Sequence, residues 1–261
     1  GRDRRALTAA YRYLIFGTIG ATFFLIGVGL LYQMTGTLNI ADLAERLPEV
    51  AETRTILVAL GFVTVGIGLK LGLFPLHVWL PNAYAYAPSV VTAFLAATAT
   101  KVAVYMLLRV YFTIFGTDIF AALPIDEFLL VLGLIAIVTM SGVAIYQNNA
   151  KRLLAYSSVA QVGYMVIGIS MVTATGLTAT ILHLFNHAMI KGALFLALAA
   201  VFYRIKSVKI DDMAGLGKEM PYTMAAFVVG GFSLVGVPLT VGFISKWYLI
   251  LGALEKGWWP V

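Results

Sequence analysis

Residues 176–204 read Gly176-Leu-Thr-Ala-Thr-Ile-Leu-His183-Leu-Phe-Asn186-His187-Ala-Met-Ile-Lys191-Gly-Ala-Leu-Phe-Leu-Ala-Leu-Ala-Ala-Val-Phe-Tyr-Arg204. Until the Tyr203-Arg204 pair that ends it, the only titratable side chains are His183, His187 and Lys191. A helix rising 1.5 Å per residue needs about 20 such residues to cross a hydrocarbon core of ~30 Å. A surface helix of a soluble protein would carry a charged face opposite its apolar one, and this stretch has none. It reads as a transmembrane helix with a few polar groups held inside the bilayer.

Six more apolar runs surround it, at about 9–34, 56–80, 88–112, 127–147, 153–173 and 221–254. Backbone groups cannot face lipid unpaired, and these runs lack the alternation of barrel strands, so each is read as a helix. The expected architecture is an all-α, polytopic membrane bundle of about seven spans, with residues 1–261 forming a single membrane domain. Composition agrees: 61% of the 261 residues are hydrophobic and 11% charged, against about 25% charged in an average soluble domain. A soluble enzyme, a nucleic-acid-binding domain and a disordered tail are thereby excluded. The net charge of +6 is spread along the chain and is no nucleic-acid footprint. Cysteine is absent, which removes disulfides, thiolate nucleophiles and thiolate metal sites. The polar stretches 35–55 and 205–220 read as ordinary loops.

Orientation follows the lysine and arginine asymmetry. With the N-terminus in the cytoplasm, Arg2, Arg4, Arg5, Arg12, Lys151, Arg152, Arg204, Lys206, Lys209 and Lys218 lie inside, and Arg46, Arg54, Arg109 and Lys256 outside. Trp79, Trp247, Trp258 and Trp259 fall near span ends or breaks, where indole prefers the interface. The expected location is a bacterial inner membrane, with the bilayer as one partner and no nucleic acid.

Two spans carry an interruption. The second contains Lys70-Leu-Gly-Leu-Phe-Pro75-Leu-His77-Val-Trp79-Leu-Pro81, and the seventh contains Gly236-Val-Pro238-Leu-Thr-Val-Gly242. Proline removes a backbone donor and crowds the preceding turn. Broken helices at membrane depth line cavities in transporters; a plain proline kink is the simpler alternative.

The charges inside the spans carry the functional argument. They are Lys70, Lys101, Lys191 and Lys246, joined by His183 and His187, while all twelve acidic residues fall in loops or at span ends. An ionised side chain at the bilayer centre is costly. Desolvation disfavours a lysine's charged form, which suits the side chain to loading and releasing a proton. His183, His187 and Lys191 are spaced i, i+4, i+8, drifting only about 40° per step and covering ~12 Å of axis, so they share one helix face. Imidazoles and an amine in that row can pass a proton through intervening water. The plainer alternatives are a polar packing face for the histidines and snorkelling for lysines near span ends. His77 is either a relay group or a cap on carbonyls freed at the break. Lys151-Arg152 reads as a cytoplasmic anchor, and Tyr156, Ser157, Ser158 and Gln161 as packing hydrogen-bonders.

Four stretches resemble one family. They are Phe74-Pro-Leu-His-Val-Trp-Leu-Pro-Asn-Ala-Tyr-Ala-Tyr-Ala-Pro88-Ser-Val-Val-Thr-Ala, Lys101-Val-Ala-Val-Tyr-Met-Leu-Leu-Arg109, Lys151-Arg-Leu-Leu-Ala-Tyr-Ser-Ser-Val-Ala-Gln-Val-Gly-Tyr164, and His183 to Lys191 with Gly242-Phe-Ile-Ser-Lys246-Trp. They resemble, in order, the proton-translocating antiporter-like subunits of respiratory complex I and of Mrp-type multisubunit sodium/proton antiporters. The resemblance implies a fold of about fourteen helices with two inverted repeats. The chain is then read as a fragment running from about the sixth to the broken twelfth helix. It implies proton-translocation roles for Lys70, Lys101, His183, His187, Lys191 and Lys246; His77, Pro75 and Pro238, which stand in the two interruptions, are read as accessories. It also implies a glutamate on an earlier helix as partner to Lys70; no matching Trp-Glu-Leu or Ile-Glu-Leu motif stands in these residues. Asn82, Asn149, the Ala160–Tyr164 run and Lys246 look closer to the D-type component of the Mrp complexes, with the quinone-reductase subunits as the alternative.

The expected function is therefore a proton-translocating subunit of a multisubunit sodium/proton antiporter; the alternative is a proton-pumping subunit of a respiratory NADH:quinone oxidoreductase. Other membrane subunits would be the partners, and protons and sodium the transported ions. No cofactor motif is visible, and the chain is expected to perform no covalent chemistry itself; it would be part of a translocase only within the quinone-reducing complex. A scaffold bundle and a small-solute carrier are the remaining classes, the latter lacking a polar midplane pocket.

Overall fold

The computed structural model describes residues 4–258, and every regular element among them is a helix, joined by one isolated antiparallel bridge between Asn149 and Lys209. Arg2 and Trp259 lie outside the described residues. The chain runs α1 (Arg4–Thr35), α2 (Ile40–Val50), α3 (Arg54–Leu71), α4 (Leu80–Tyr86) and α5 (Ser89–Phe94). It continues through α6 (Thr100–Leu108), α7 (Gly116–Ala122), α8 (Ile125–Ile145), α9 (Ala150–Ser170) and α10 (Ala174–Ile205) to the short α11 (Leu216–Glu219), α12 (Pro221–Val235) and α13 (Val241–Glu255). Among the described residues, six helical rods are long and apolar enough to cross a membrane: α1, α3, the continuous Ser89–Ala122 rod, α8, α9 and α10. The expected seventh span is instead two half-helices, α12 and α13, of 15 residues each.

The second expected span also ends early, at Leu71 rather than 80. Gly72 takes the left-handed conformation (φ 74°, ψ 37°), which a side chain at Cβ would oppose. Turns then carry the chain past a cis Phe74–Pro75 bond to α4. Gly236 (φ 92°, ψ 41°) ends α12 in the same way. The third span extends beyond 112 to Ala122 and contains two π-helical segments, Leu95–Ala99 and Arg109–Phe115, on either side of α6. Such wide turns shift the hydrogen-bond register and release carbonyls.

Neither polar stretch is an ordinary loop. Within 35–55, the Asn39 side chain accepts from the backbone N–H of Ala41 at 2.9 Å and caps α2, satisfying a donor that the first turn leaves open. Leu43 and Leu47 then bury one α2 face against the core holding Val110, Tyr111 and Phe115. Within 205–220, residues Asp211–Met213 form a 3₁₀ turn ahead of α11.

Between helices in lipid there is little hydrophobic driving force, so close van der Waals approach decides association. Gly66 meets α1 so closely that a Cβ there would stand 2.6 Å from the Phe24 nitrogen. Gly163 packs on α8 equally tightly, a Cβ falling 2.8 Å from the Gly133 oxygen. α10 occupies the middle, packed on α5, the first π segment, α9, α12 and α13.

The basic residues at the start of α1 and at the α8–α9 and α10–α11 connections converge on one end of the bundle. Ala150 donates to Val208 O at 2.9 Å and Ile210 to Asn148 O at 3.0 Å, tying the α8–α9 and α10–α11 connections together. Lys151 reaches Ala87 O at the end of α4, and Arg4 and Arg12 border α4 at Asn82 and Tyr86. Trp79, expected at an interface, is buried inside the bundle at 4% exposure.

Candidate functional site

The site is a row of buried cationic and imidazole side chains centred on α10. His183, His187 and Lys191 are buried on one face, Lys191 without any exposed surface. The two imidazoles lie parallel (1° apart) with centroids 6.0 Å apart. Toward α13, His183 Nδ1 and Ser245 Oγ are 2.9 Å apart, and Ser245 also donates to Gly242 O at 3.1 Å. Toward α9, Lys191 Nζ donates to Leu154 O at 2.6 Å and to the Ser157 hydroxyl. Lys101, buried on α6, lies within electrostatic reach of His183, His187 and Lys191, and Lys246 within reach of both histidines.

Each lysine in this row is held by main-chain carbonyls rather than by a carboxylate. Lys101 donates to Ala96 O, inside the π segment, and to Thr100 Oγ at 3.3 Å. Lys246 donates to Leu234 O at 3.1 Å and Val235 O at 2.9 Å, the last carbonyls of α12. Its ammonium also faces the Tyr164 ring, 4.7 Å from the centroid. The end of a half-helix concentrates unpaired carbonyls and the negative pole of its dipole, which favours a cation there. Transporter ion sites use the same device. The only ion pair among the described residues is Arg46–Asp42, at 2.7 Å on exposed α2.

Three buried side chains, one on α9 and two on α10, carry polar atoms that have no hydrogen-bond partner among the described residues: Gln161 at Oε1, His183 at Nε2 and His187 at both ring nitrogens. Buried polar atoms left unpaired are expensive, and water between helices is their usual complement. A cavity of about 500 Å3 opens beside Tyr164 and Lys246, between α8 and α13.

The structure thus brings Lys101, His183, His187, Lys191 and Lys246 together and leaves Lys70 apart. Lys70 sits in the last turn of α3, exposed, 5.8 Å from the centre of the Tyr13 ring. It borders a cavity of about 250 Å3 with Gly17, Gly20 and Met106. His77 stacks on Phe74 at 5.5 Å, and the carbonyl freed at this break, Leu69 O, is capped by the Trp79 indole at 2.7 Å. Pro75 and Pro238 lie exposed within the two breaks.

Sequence reasoning missed Lys151, which is no solvated anchor. It is buried at 5% exposure and donates to Ala87 O at 3.2 Å. Its neighbour Arg152 disguised it, since two adjacent cations at a span start read as an interfacial pair. Ser157 and Ser245 were also undervalued; their spacing from a lysine in sequence gives no sign of which side chains they meet.

This fold and this row of side chains define an integral membrane helix bundle carrying titratable groups in its interior. Across residues 1–261 the chain matches the family described as NADH:quinone oxidoreductase/Mrp antiporter, transmembrane region, and it belongs to that family. It is 48% identical over 259 residues to NADH-quinone oxidoreductase subunit N of Desulforudis audaxviator, covering 98% of this chain and 51% of the relative. It is 34% identical over 255 residues to the D-type component of the Na(+)/H(+) antiporter of Alkalihalophilus pseudofirmus, covering 97% and 51%. Among solved structures it resembles a chain of the archaeal membrane-bound sulfane sulfur reductase (TM-score 0.92, 34% identity, 98% of this chain and 52% of that one). It also resembles chains of the Mrp complex of Dietzia sp. (0.88, 32%, 96% and 46%) and of respiratory complex I of Thermus thermophilus (0.80, 33%, 98% and 54%). The chain spans about half the length of the curated relatives it matches. The family includes both the N-type and the D-type proteins, and the higher identity, to an N-type one, weighs against the D-type expectation drawn from sequence.

Proposed function

We propose that the chain is part of a proton-translocating membrane subunit of the N type, working in a redox-driven, quinone-reducing complex. The observation that carries this reading is the carboxylate-free row Lys101–Lys191–His187–His183–Lys246, in which Lys101 and Lys246 rest on carbonyls at a π segment and a helix break and Lys191 on a carbonyl within α9. A lysine so placed holds its proton through dipoles and yields it when a second cation approaches, because like charges at close range in a poorly solvated interior repel strongly. The parallel imidazoles bridge the lysines, and water beside their unpaired nitrogens would complete the path. Lys70, apart from the row, is read as the loading group at the first break. Other membrane subunits would cover the exposed apolar faces, and the basic end would face the cytoplasm of a bacterial inner membrane. The 48% identity to an N-type relative supports the redox-driven context.

A second reading, an Mrp-type sodium/proton antiporter component, is favoured by the structural likeness, where the TM-score with the Mrp complex (0.88) exceeds that with complex I (0.80). Inverted vesicles containing the full-length protein and its operon partners separate the two. Acidification driven by NADH and blocked by a quinone-site inhibitor is the expected result. Collapse by added sodium of a pH gradient made by a separate pump, without NADH-driven acidification, would move the chain to the antiporter.

A further inference from the structure

We propose that the crevice at the basic end, between the start of α1 and the α4–α5 corner, binds an anionic phospholipid. Two adjoining recesses make up the crevice. The larger one, about 510 Å3, is walled by Ala10 and Tyr13 of α1, Ala83 and Tyr86 of α4, Val91 of α5 and Leu95 beyond it. That volume lies within the ~300–1,000 Å3 range of small-ligand sites, and its wall offers an acyl chain a lining of methyl groups and ring faces. The second recess, about 260 Å3, shares Ala9 and Tyr86 with the first and is bordered by Arg4, Arg5, Thr8, Arg12 and Asn82.

The chemistry changes sharply from one recess to the other, as it does along a lipid. Arg4, Thr8 and Arg12 recur at i, i+4, i+8 and so stack along one face of α1 over ~12 Å. A guanidinium presents paired donors that match two oxygens of a phosphate. Asn82 adds a neutral donor suited to ester oxygens, and the Thr8 oxygen, whose own hydrogen goes to Arg4 O at 2.9 Å, can accept from a headgroup hydroxyl. Among the described residues, no carboxylate lines either recess. Tyr13 and Tyr86 sit at the junction, the place where an amphipathic ring spans apolar and polar layers. A free phosphate would use only the arginine recess and leave the apolar one unfilled. A neutral protein helix would fill the apolar recess and leave the Arg4 and Arg12 guanidiniums unmatched. A phospholipid with a net negative headgroup satisfies both.

The test uses the full-length protein in its assembled complex, delipidated in mild detergent and titrated with phosphatidylglycerol or phosphatidylcholine, with retained lipid counted by native mass spectrometry. Phosphatidylglycerol should be retained in preference to phosphatidylcholine. The Arg4→Gln/Arg12→Gln double variant should weaken its retention by roughly tenfold or more, and Val91→Trp should do so by filling the apolar recess with the arginines untouched. Residues 1–261 contain no cysteine, so Val91→Cys, in a full-length background cleared of any cysteine outside them, adds a single reporter in this subunit. Its labelling by a lipid-soluble maleimide should be slowed by phosphatidylglycerol and not by phosphatidylcholine. Equal retention of the two lipids, unchanged retention in both variants, or a Val91→Cys site shielded whatever the lipid, as by a protein helix, would overturn the proposal.

Discussion

Lys191 has exchanged water for one carbonyl and one hydroxyl. Leu154 O already accepts from Ser157 and Ser158, so removing the amine leaves no orphaned acceptor there. Lys191→Met, close in volume, should therefore cost less than about 1.5 kcal/mol of stability and leave assembly intact. Proton translocation should nonetheless fall by on the order of a hundredfold if the amine is a transfer group. Vesicle acidification normalised to assembled complex measures both; full activity in the variant would reduce Lys191 to packing. Ser245→Ala makes a different prediction. It takes the partner from His183 Nδ1, whose other ring nitrogen is already unpaired. An orphaned buried polar atom costs about 1–3 kcal/mol, so the thermal midpoint of the complex should drop, and Ser245→Thr, which restores a hydroxyl, should recover much of it. The His183/His187/Lys191 row was legible in the sequence because three titratable residues at helical spacing stand out in an apolar run. Their partners were not legible. Ser245 and Ser157 lie on other helices, and only packing brings them near.

Each helix break hangs on one glycine and one donor. At the first, Trp79→Phe should strip Leu69 O of its cap and destabilise the α3–α4 junction by about 1–3 kcal/mol, seen as faster amide exchange in residues 68–80. At the second, a Cβ on Gly242 would stand 1.7 Å from Ser233 O. Gly242→Ala must therefore push α12 and α13 apart, and the expected outcome is loss of assembled complex on a native gel. On α2, hydrogen bonds from Thr37 and Arg46 hold the Asp42 carboxyl below its usual value. A carboxylate whose folded value is depressed contributes stability above its unfolded value, near pH ~4, and loses it as pH falls through the folded value. Protection against exchange at the first turn of α2, taken relative to the intrinsic rate at each pH, should fall only below that point, and Asp42→Asn should remove this contribution. Long apolar runs made the membrane rods visible from sequence, and Gly–Pro pairs made the breaks visible. α2 was hidden because it buries only Leu43 and Leu47 among charged neighbours, far short of a spanning run. The π segments leave no mark in composition, since they are a change of hydrogen-bond register and not of residue type.

Across the whole bundle, two breaks of similar build are finished differently. Lys70 precedes its break and Lys246 follows the other. The carbonyl freed at the first is held by an indole, and those at the second by an amine. An indole keeps its single donor at any pH near neutrality, whereas an ammonium has three charge-assisted donors and a neutral amine only two weaker ones. The first joint therefore has one stiffness and the second has two. By reciprocity, whatever clamps α12 against α13 must also favour the proton on Lys246, and whatever pries them apart must favour its departure. A mechanical push on this one joint and a change in the proton's binding strength are the same event in different units, while an equal push on the α3–α4 joint does no such chemical work on its cap.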